Sequence, residues 1–117
     1  MLPHETKKYL FDIAEACDLI AQFSAGKTFA DYQNDPLLRS AVERQFEIVG
    51  EALSQAVQHD AKVAELISNS SRIISFRNRL IHGYATISDN VVWGVLETNL
   101  PLLTREVKAL LENKGVH

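Results

Sequence analysis

The sequence predicts an all-α fold, an antiparallel up-and-down bundle of four main helices with room for short extra helices. Three observations predict it. Apolar residues recur at i, i+3, i+4 and i+7 over long stretches. No segment shows sustained period-two alternation bounded by hairpin turns. The five glycines and three prolines fall mostly where helices should begin or end. At 117 residues the chain is expected to form one domain, 1–117, with a core that needs no disulfide or metal staple.

The first helix runs from Pro3 to about Ser24, with Leu10, Ile13, Ala14, Cys17, Ile20 and Ala21 on one face and Gly26 as its stop. Asn34-Asp35-Pro36 then supplies a capping carboxylate followed by proline at the first helical position, where a fixed φ and a missing N–H cost nothing. The second helix follows to about Val57, and its stripe is Leu38, Ala41, Val42, Phe46, Val49, Leu53, Ala56 and Val57. Ala61 to Ile67 has room for a short extra helix. Ser70-Ser71 cap a short basic third helix through Ile73, Ile74, Arg77, Leu80 and Ile81, with Gly83 as its stop. Ser88-Asp89 cap a long fourth helix carrying Val92, Val95, Leu96, Leu103, Val107, Leu110 and Leu111. Pro101 removes one of its backbone hydrogen bonds and should bend it.

Fifteen acidic against twelve basic side chains leave a net charge of -3, which excludes a protein that coats nucleic acid by bulk positive charge. A nucleic-acid role needs a local patch. The longest uncharged run, 80–88, spans nine residues with His82 counted as neutral, too short for a membrane span of about 20. Asp12, Glu15 and Asp18 interrupt the segment where a signal peptide would carry its apolar core. Together with a single cysteine, Cys17, which cannot pair within the chain, this points to the reducing cytoplasm.

A local patch exists. Between Glu65 and Asp89 there is no acidic side chain, and the stretch Ser71 to Tyr84 carries Arg72, Arg77 and Arg79. Guanidinium is the cation best matched to phosphate. On a helix, Asn78 and His82 lie one turn apart on nearly the same face, with Arg79 between them and Arg77 at the flank. Histidine can pass protons near neutrality, and arginine can stabilise charge developing on a phosphate oxygen, so these are parts suited to phosphoryl chemistry. Most charge runs simply face solvent, and spacing alone does not decide between the two readings.

The string Arg77-Asn78-Arg79-Leu80-Ile81-His82-Gly83-Tyr84 resembles the Arg, four residues, His, one residue, Tyr signature of the HepT-like branch of the HEPN superfamily of ribonuclease toxins. Three further blocks in order resemble the same family: Ala41 to Ala52, Val91 to Trp93 and Asn99 to Leu103. The resemblance covers about residues 8 to 112. The chain departs from many relatives at Ser68-Asn69-Ser70, where they carry Ile-Pro-Trp, and this bears on how the third helix starts.

The resemblance implies the toxin component of a type II toxin-antitoxin pair: a homodimeric, metal-independent endoribonuclease with no cofactor, its two motifs meeting in a cleft across the interface. In the implied scheme a 2′-hydroxyl attacks the adjacent phosphate, His82 moves a proton, Arg77 stabilises the phosphorane and Asn78 orients the phosphate or the imidazole. Arg72 and Arg79 would hold the RNA. Tyr84 would be the hydroxyl that a minimal nucleotidyltransferase antitoxin adenylylates, covering the arginines with charge and bulk. A reading from another class keeps the fold but makes the chain a non-catalytic helical partner of a nucleotidyltransferase, since fold does not fix function. Only the catalytic reading requires Arg77 and His82 together.

Other residues read more plainly. Cys17 belongs to the apolar face of the first helix. His4, His59 and His117 have no Cys, His or carboxylate partner at zinc-ligand spacing. Gly50 permits close helix contact, and Trp93 is a core or dimer anchor. Glu47 and Glu51, one turn apart, could act as an acid/base pair but read more plainly as solvated or paired with Arg44, with Glu51 also able to lie near the cleft.

Overall fold

A run of helices makes up the computed structural model, which describes residues 2–82 and 87–112. In chain order they are α1 (His4–Ser24), α2 (Phe29–Asn34), α3 (Pro36–His59), α4 (Val63–Leu66), α5 (Ser70–His82), α6 (Asp89–Thr98) and α7 (Leu100–Glu112). The long α1 lies between α3 and α7, α3 also packs against α5, and α2 bridges α3 and α6. The predicted first, second and third helices correspond to α1, α3 and α5, and the expected short extra helix to α4.

Local chemistry explains most of the boundaries. Past α1, Gly26 takes φ +73°, the left-handed conformation open to glycine, and the Lys27 N–H reaches back to the Ser24 carbonyl at 2.9 Å. Asp35 caps α3 by accepting the Leu37 and Leu38 N–H groups at 3.1 and 3.2 Å, with Pro36 as the first helical residue. One helix was not expected. Thr28 and Asp31 form a reciprocal capping box that starts α2, the Thr28 N–H donating to Asp31 Oδ2 at 2.9 Å and the Asp31 N–H to Thr28 Oγ1 at 3.1 Å.

The expected long fourth helix is two helices, α6 and α7, meeting at Asn99 rather than one helix bent at Pro101. A proline ring crowds the residue before it and the carbonyl four residues back, so the disturbance falls on the N-terminal side of Pro101. Asn99 stays near helical geometry at φ -95°, ψ -33°, and its carbonyl accepts the Leu103 N–H at 3.0 Å. The start of α5 departs from its expected form as well. Asn69 adopts φ 60° and its carbonyl accepts the Ile73 N–H, while the Ser68 N–H and hydroxyl both donate to the Glu106 carboxylate of α7, at 2.9 and 2.6 Å.

The core draws on α1 (Leu10, Ile13, Cys17, Ile20), α3 (Val42, Phe46, Val49, Leu53), Phe76 of α5 and Val92, Trp93, Leu103 and Val107 of α6 and α7. Each large side chain removed from water contributes about 1.5–3 kcal/mol. Tyr32 places its ring 5.3 Å from that of Trp93, which makes Trp93 the anchor of α2. Along α5 the expected apolar residues Ile73, Ile74 and Leu80 are only half-buried and Ile81 is exposed, whereas Phe76, which that pattern did not include, reaches the core. Among the described residues no helix is long and apolar enough to cross a membrane.

Candidate active site

Where α3 and α5 touch, Gly50 faces Arg77. A Cβ built on Gly50 would overlap the Cβ and Cγ of Arg77 and stand 3.5 Å from its Cα, so the two backbones approach as closely as a glycine allows. Glycine inside a helix costs about 0.5–1 kcal/mol relative to alanine. What it permits is placement of the arginine backbone directly on α3.

The Arg77 side chain then turns along α3. Its Nη2 donates to Glu51 Oε1, in an ion pair, and its Nη1 donates to Asn78 Oδ1 at 2.8 Å. Its Nε is buried with no hydrogen-bond partner among the described residues. The guanidinium is thus held at both terminal nitrogens while a quarter of the side chain remains exposed. The carboxylate also reaches along its own helix, where Gln55 Nε2 donates to Glu51 Oε2 at 3.5 Å.

Glu51 is the functional candidate that sequence reasoning left least developed. Arg44 pairs with Glu47 at 3.2 Å, and Glu51 pairs across to Arg77. The signal for it was the glycine beside it, because a glycine in mid-helix marks the point where another helix comes near. No spacing rule could have joined positions 26 residues apart.

The three arginines do not share one surface. Arg72 and Arg79, seven residues apart and so on one face of α5, line a groove of about 420 Å³ floored by Phe46, Val49, Phe76 and Leu103. Among the described residues, no carboxylate lines that groove. Arg77 opens instead into a second groove, of about 560 Å³ between α1, α3 and α5, together with Asp12, Glu15, Arg44, Glu47, Glu51 and Ile81. Asn78 and His82 are exposed on α5, and His82 occupies its last turn. Gly83 and Tyr84 lie outside the described residues.

Other titratable groups stand apart from this site. Burial pushes the Cys17 thiol up to about 11, which leaves it a neutral core residue rather than a nucleophile. Burial, with Asp89 and Glu47 nearby, raises Glu43 above the usual carboxylate range. His59 stacks near Tyr9, ring centroids 5.3 Å apart, and lies 3.7 Å from Glu5. Among the described residues, no group of three or more His, Cys, Asp or Glu is placed to hold a metal ion.

Comparison with known proteins bears on the same segments. A family model described as "Ribonuclease HepT-like" matches residues 13–110, which spans α3 and α5 entirely. A protein of Thermococcus cleftensis named "Probable ribonuclease HepT" is 34% identical over 104 residues, covering 89% of this chain and 94% of its own. Two proteins that bear the name "Putative RNase" are also similar. One, from Caldanaerobacter subterraneus, is 27% identical over 92% of this chain and 96% of its own. The other, from Methanocaldococcus jannaschii, is 28% identical over 92% and 98%. No solved structure matches the chain.

Proposed function

The chain belongs to the HepT-like ribonuclease family, and from that premise we propose that it is an endoribonuclease acting through Arg77 and His82. The observation that carries the assignment of residues is the arginine itself. Arg77 is oriented by two neighbours, keeps N–H groups for a ligand and opens into a groove. Arginine cannot give up its proton at neutral pH, so its part is to bind and stabilise phosphate charge, whereas histidine can move protons.

In the reaction, the RNA 2′-hydroxyl loses its proton to a base and forms a bond to the adjacent phosphorus. Arg77 stabilises the charge on the crowded phosphorane oxygens. The bond from phosphorus to the 5′-oxygen then breaks, and that oxygen takes a proton from an acid, leaving a cyclic phosphate and a 5′-hydroxyl. The nucleophile belongs to the substrate, so no metal-activated water is required. Asn78, bonded to Arg77, holds one corner of the guanidinium, and Arg72 and Arg79 draw in the RNA backbone from the neighbouring groove.

In-line attack puts the 2′-oxygen and the leaving 5′-oxygen on opposite sides of phosphorus, beyond the reach of one imidazole, and a second copy of the chain supplies the other proton-transfer group. The active species is therefore a symmetric homodimer with a composite site. In the cell the protein is the toxin of a toxin-antitoxin pair, and its partner nucleotidyltransferase silences it by adenylylating Tyr84. Two residues beyond His82 in sequence, the attached phosphate would place negative charge near the arginines and compete with RNA.

The experiment is cleavage of a labelled single-stranded RNA by the wild type and by His82→Ala and Arg77→Ala. Loss of cleavage in both, with helicity retained, is expected. Normal cleavage by either would remove the mechanism, and a folded chain that never cuts RNA but binds a nucleotidyltransferase would favour a non-catalytic partner role. For Tyr84 the readout is intact mass after incubation with the partner and ATP: an unchanged mass despite full neutralisation would mean simple occlusion.

A further inference from the structure

Arg77 has five N–H donors in a rigid fork, and the structure gives its two terminal nitrogens two different acceptors, Glu51 Oε1 and Asn78 Oδ1. We propose that Glu51 is a positioning residue for Arg77, holding the guanidinium plane so that the remaining terminal N–H groups meet the scissile phosphate; the proposal rests on the ribonuclease reading above. Asn78 alone leaves the guanidinium anchored at one corner, by a residue adjacent on the same helix. Glu51 adds an anchor on a different helix, and two anchors on separate elements fix a plane that one would let rotate.

The alternative is an ion pair that serves only to join α3 to α5. Exposure argues against it. The Glu51 side chain is 51% exposed although Arg77 is more buried, and a pair whose carboxylate is open to water is partly screened and adds less to stability than a buried one. The helices are already joined at Gly50, whose missing side chain brings the Arg77 backbone onto α3 one residue away from Glu51. Other carboxylates line the same groove, namely Asp12, Glu15 and Glu47, yet the carboxylate bonded to Arg77 is that of Glu51. A negative charge beside a phosphate site weakens ground-state binding, and so its value must lie in orientation, which acts on the rate of the chemical step.

The distinction is a split between kcat and KM on a mixed-sequence single-stranded RNA oligonucleotide. Glu51→Ala is expected to lower kcat about 10–100-fold and to leave KM unchanged or reduced, in line with loss of orientation rather than of binding. Glu51→Gln keeps an acceptor oxygen at the same reach and should stay within about threefold of the wild type, whereas Glu51→Asp, shortened by one methylene, should fall towards Ala. The double variant Glu51→Ala/Arg77→Ala should be no worse than Arg77→Ala alone.

Wild-type kcat in Glu51→Ala, or equal activity in the Gln and Asp variants, would overturn the proposal. A faster Glu51→Ala enzyme would overturn it too, by showing that Glu51 competes with the phosphate. Should Glu51→Ala melt below the assay temperature, the Gln and Asp variants carry the test. Cleavage surviving in Arg77→Ala is a separate result and would remove the ribonuclease assignment of Arg77 itself.

Discussion

Gly50 and Arg77 meet with no room for a methyl group between them. A Cβ at position 50 would run into the arginine's Cβ and Cγ, atoms close to the backbone that cannot swing aside as a chain end can. Gly50→Ala is therefore expected to push α5 off α3. Helix propensity gains about 0.5–1 kcal/mol, overpacking costs about 1–3 kcal/mol, and the net change should be destabilising. Urea denaturation checks the sign, and the RNA cleavage rate should fall in the same variant because the Arg77 guanidinium moves with its helix. A more stable Gly50→Ala protein would show that the two helices part freely.

His82 is exposed at the end of α5, so its removal should leave packing alone. His82→Ala is expected to melt within about 0.5 kcal/mol of the wild type while cleavage drops by a factor of about 100 or more. EDTA should leave wild-type cleavage unchanged, since in the proposed reaction the nucleophile comes from the RNA. A variant that unfolds would make His82 structural, and full inhibition by EDTA would require a different nuclease mechanism.

Glu106 of α7 holds the segment just before α5 through two hydrogen bonds to Ser68. Glu106→Ala is expected to cost about 1–3 kcal/mol, as bonds to a charged acceptor do. Amide exchange should quicken at Ser68 and through the first turn of α5 before it changes in α1 or α3. Uniform acceleration across all helices would show a global rather than a local loss.

Cys17 gives a stability-versus-pH expectation with a definite sign. Its thiol keeps its proton to about 11 in the folded chain and releases it near 9.0 when unfolded. Between those values the folded state binds more protons, so stability is full below about 9 and is lost as pH rises towards about 11, by up to about 2–3 kcal/mol. Tyr32, raised by burial, adds to the loss in the same direction. Denaturant midpoints at pH 8 and pH 10.5 should differ more in the wild type than in Cys17→Ala. Equal slopes would mean that the thiol is solvated.

The fold was readable because its long helices state their faces: Leu10, Ile13, Cys17 and Ile20 on α1 and Val42, Phe46, Val49 and Leu53 on α3 are all buried. What escaped was short or tertiary. The six-residue α2 is too brief to show a period, although Thr28-x-x-Asp31 was a signal for it. The break at Asn99 depends on where the proline's strain is relieved. The basic stretch marked Arg77, Asn78 and His82 as candidates from the sequence alone, whereas the division of the arginines between two grooves depends on which helices flank α5. The Glu51 partnership depends on how α3 and α5 cross.

That division has a consequence for how the molecule can be tuned. Because α5 stands as a wall about 10 Å thick between Arg77 and the Arg72/Arg79 pair, a change on one side need not be felt on the other. On the proposed assignment, grip and cutting are set by separate dials. Charges added or removed along the Arg72/Arg79 groove would alter how long an RNA stays and how sharply salt releases it, with the reacting geometry left as it was. If attraction and reactivity occupy opposite flanks of α5 as proposed, the protein can be made milder or fiercer without being rebuilt.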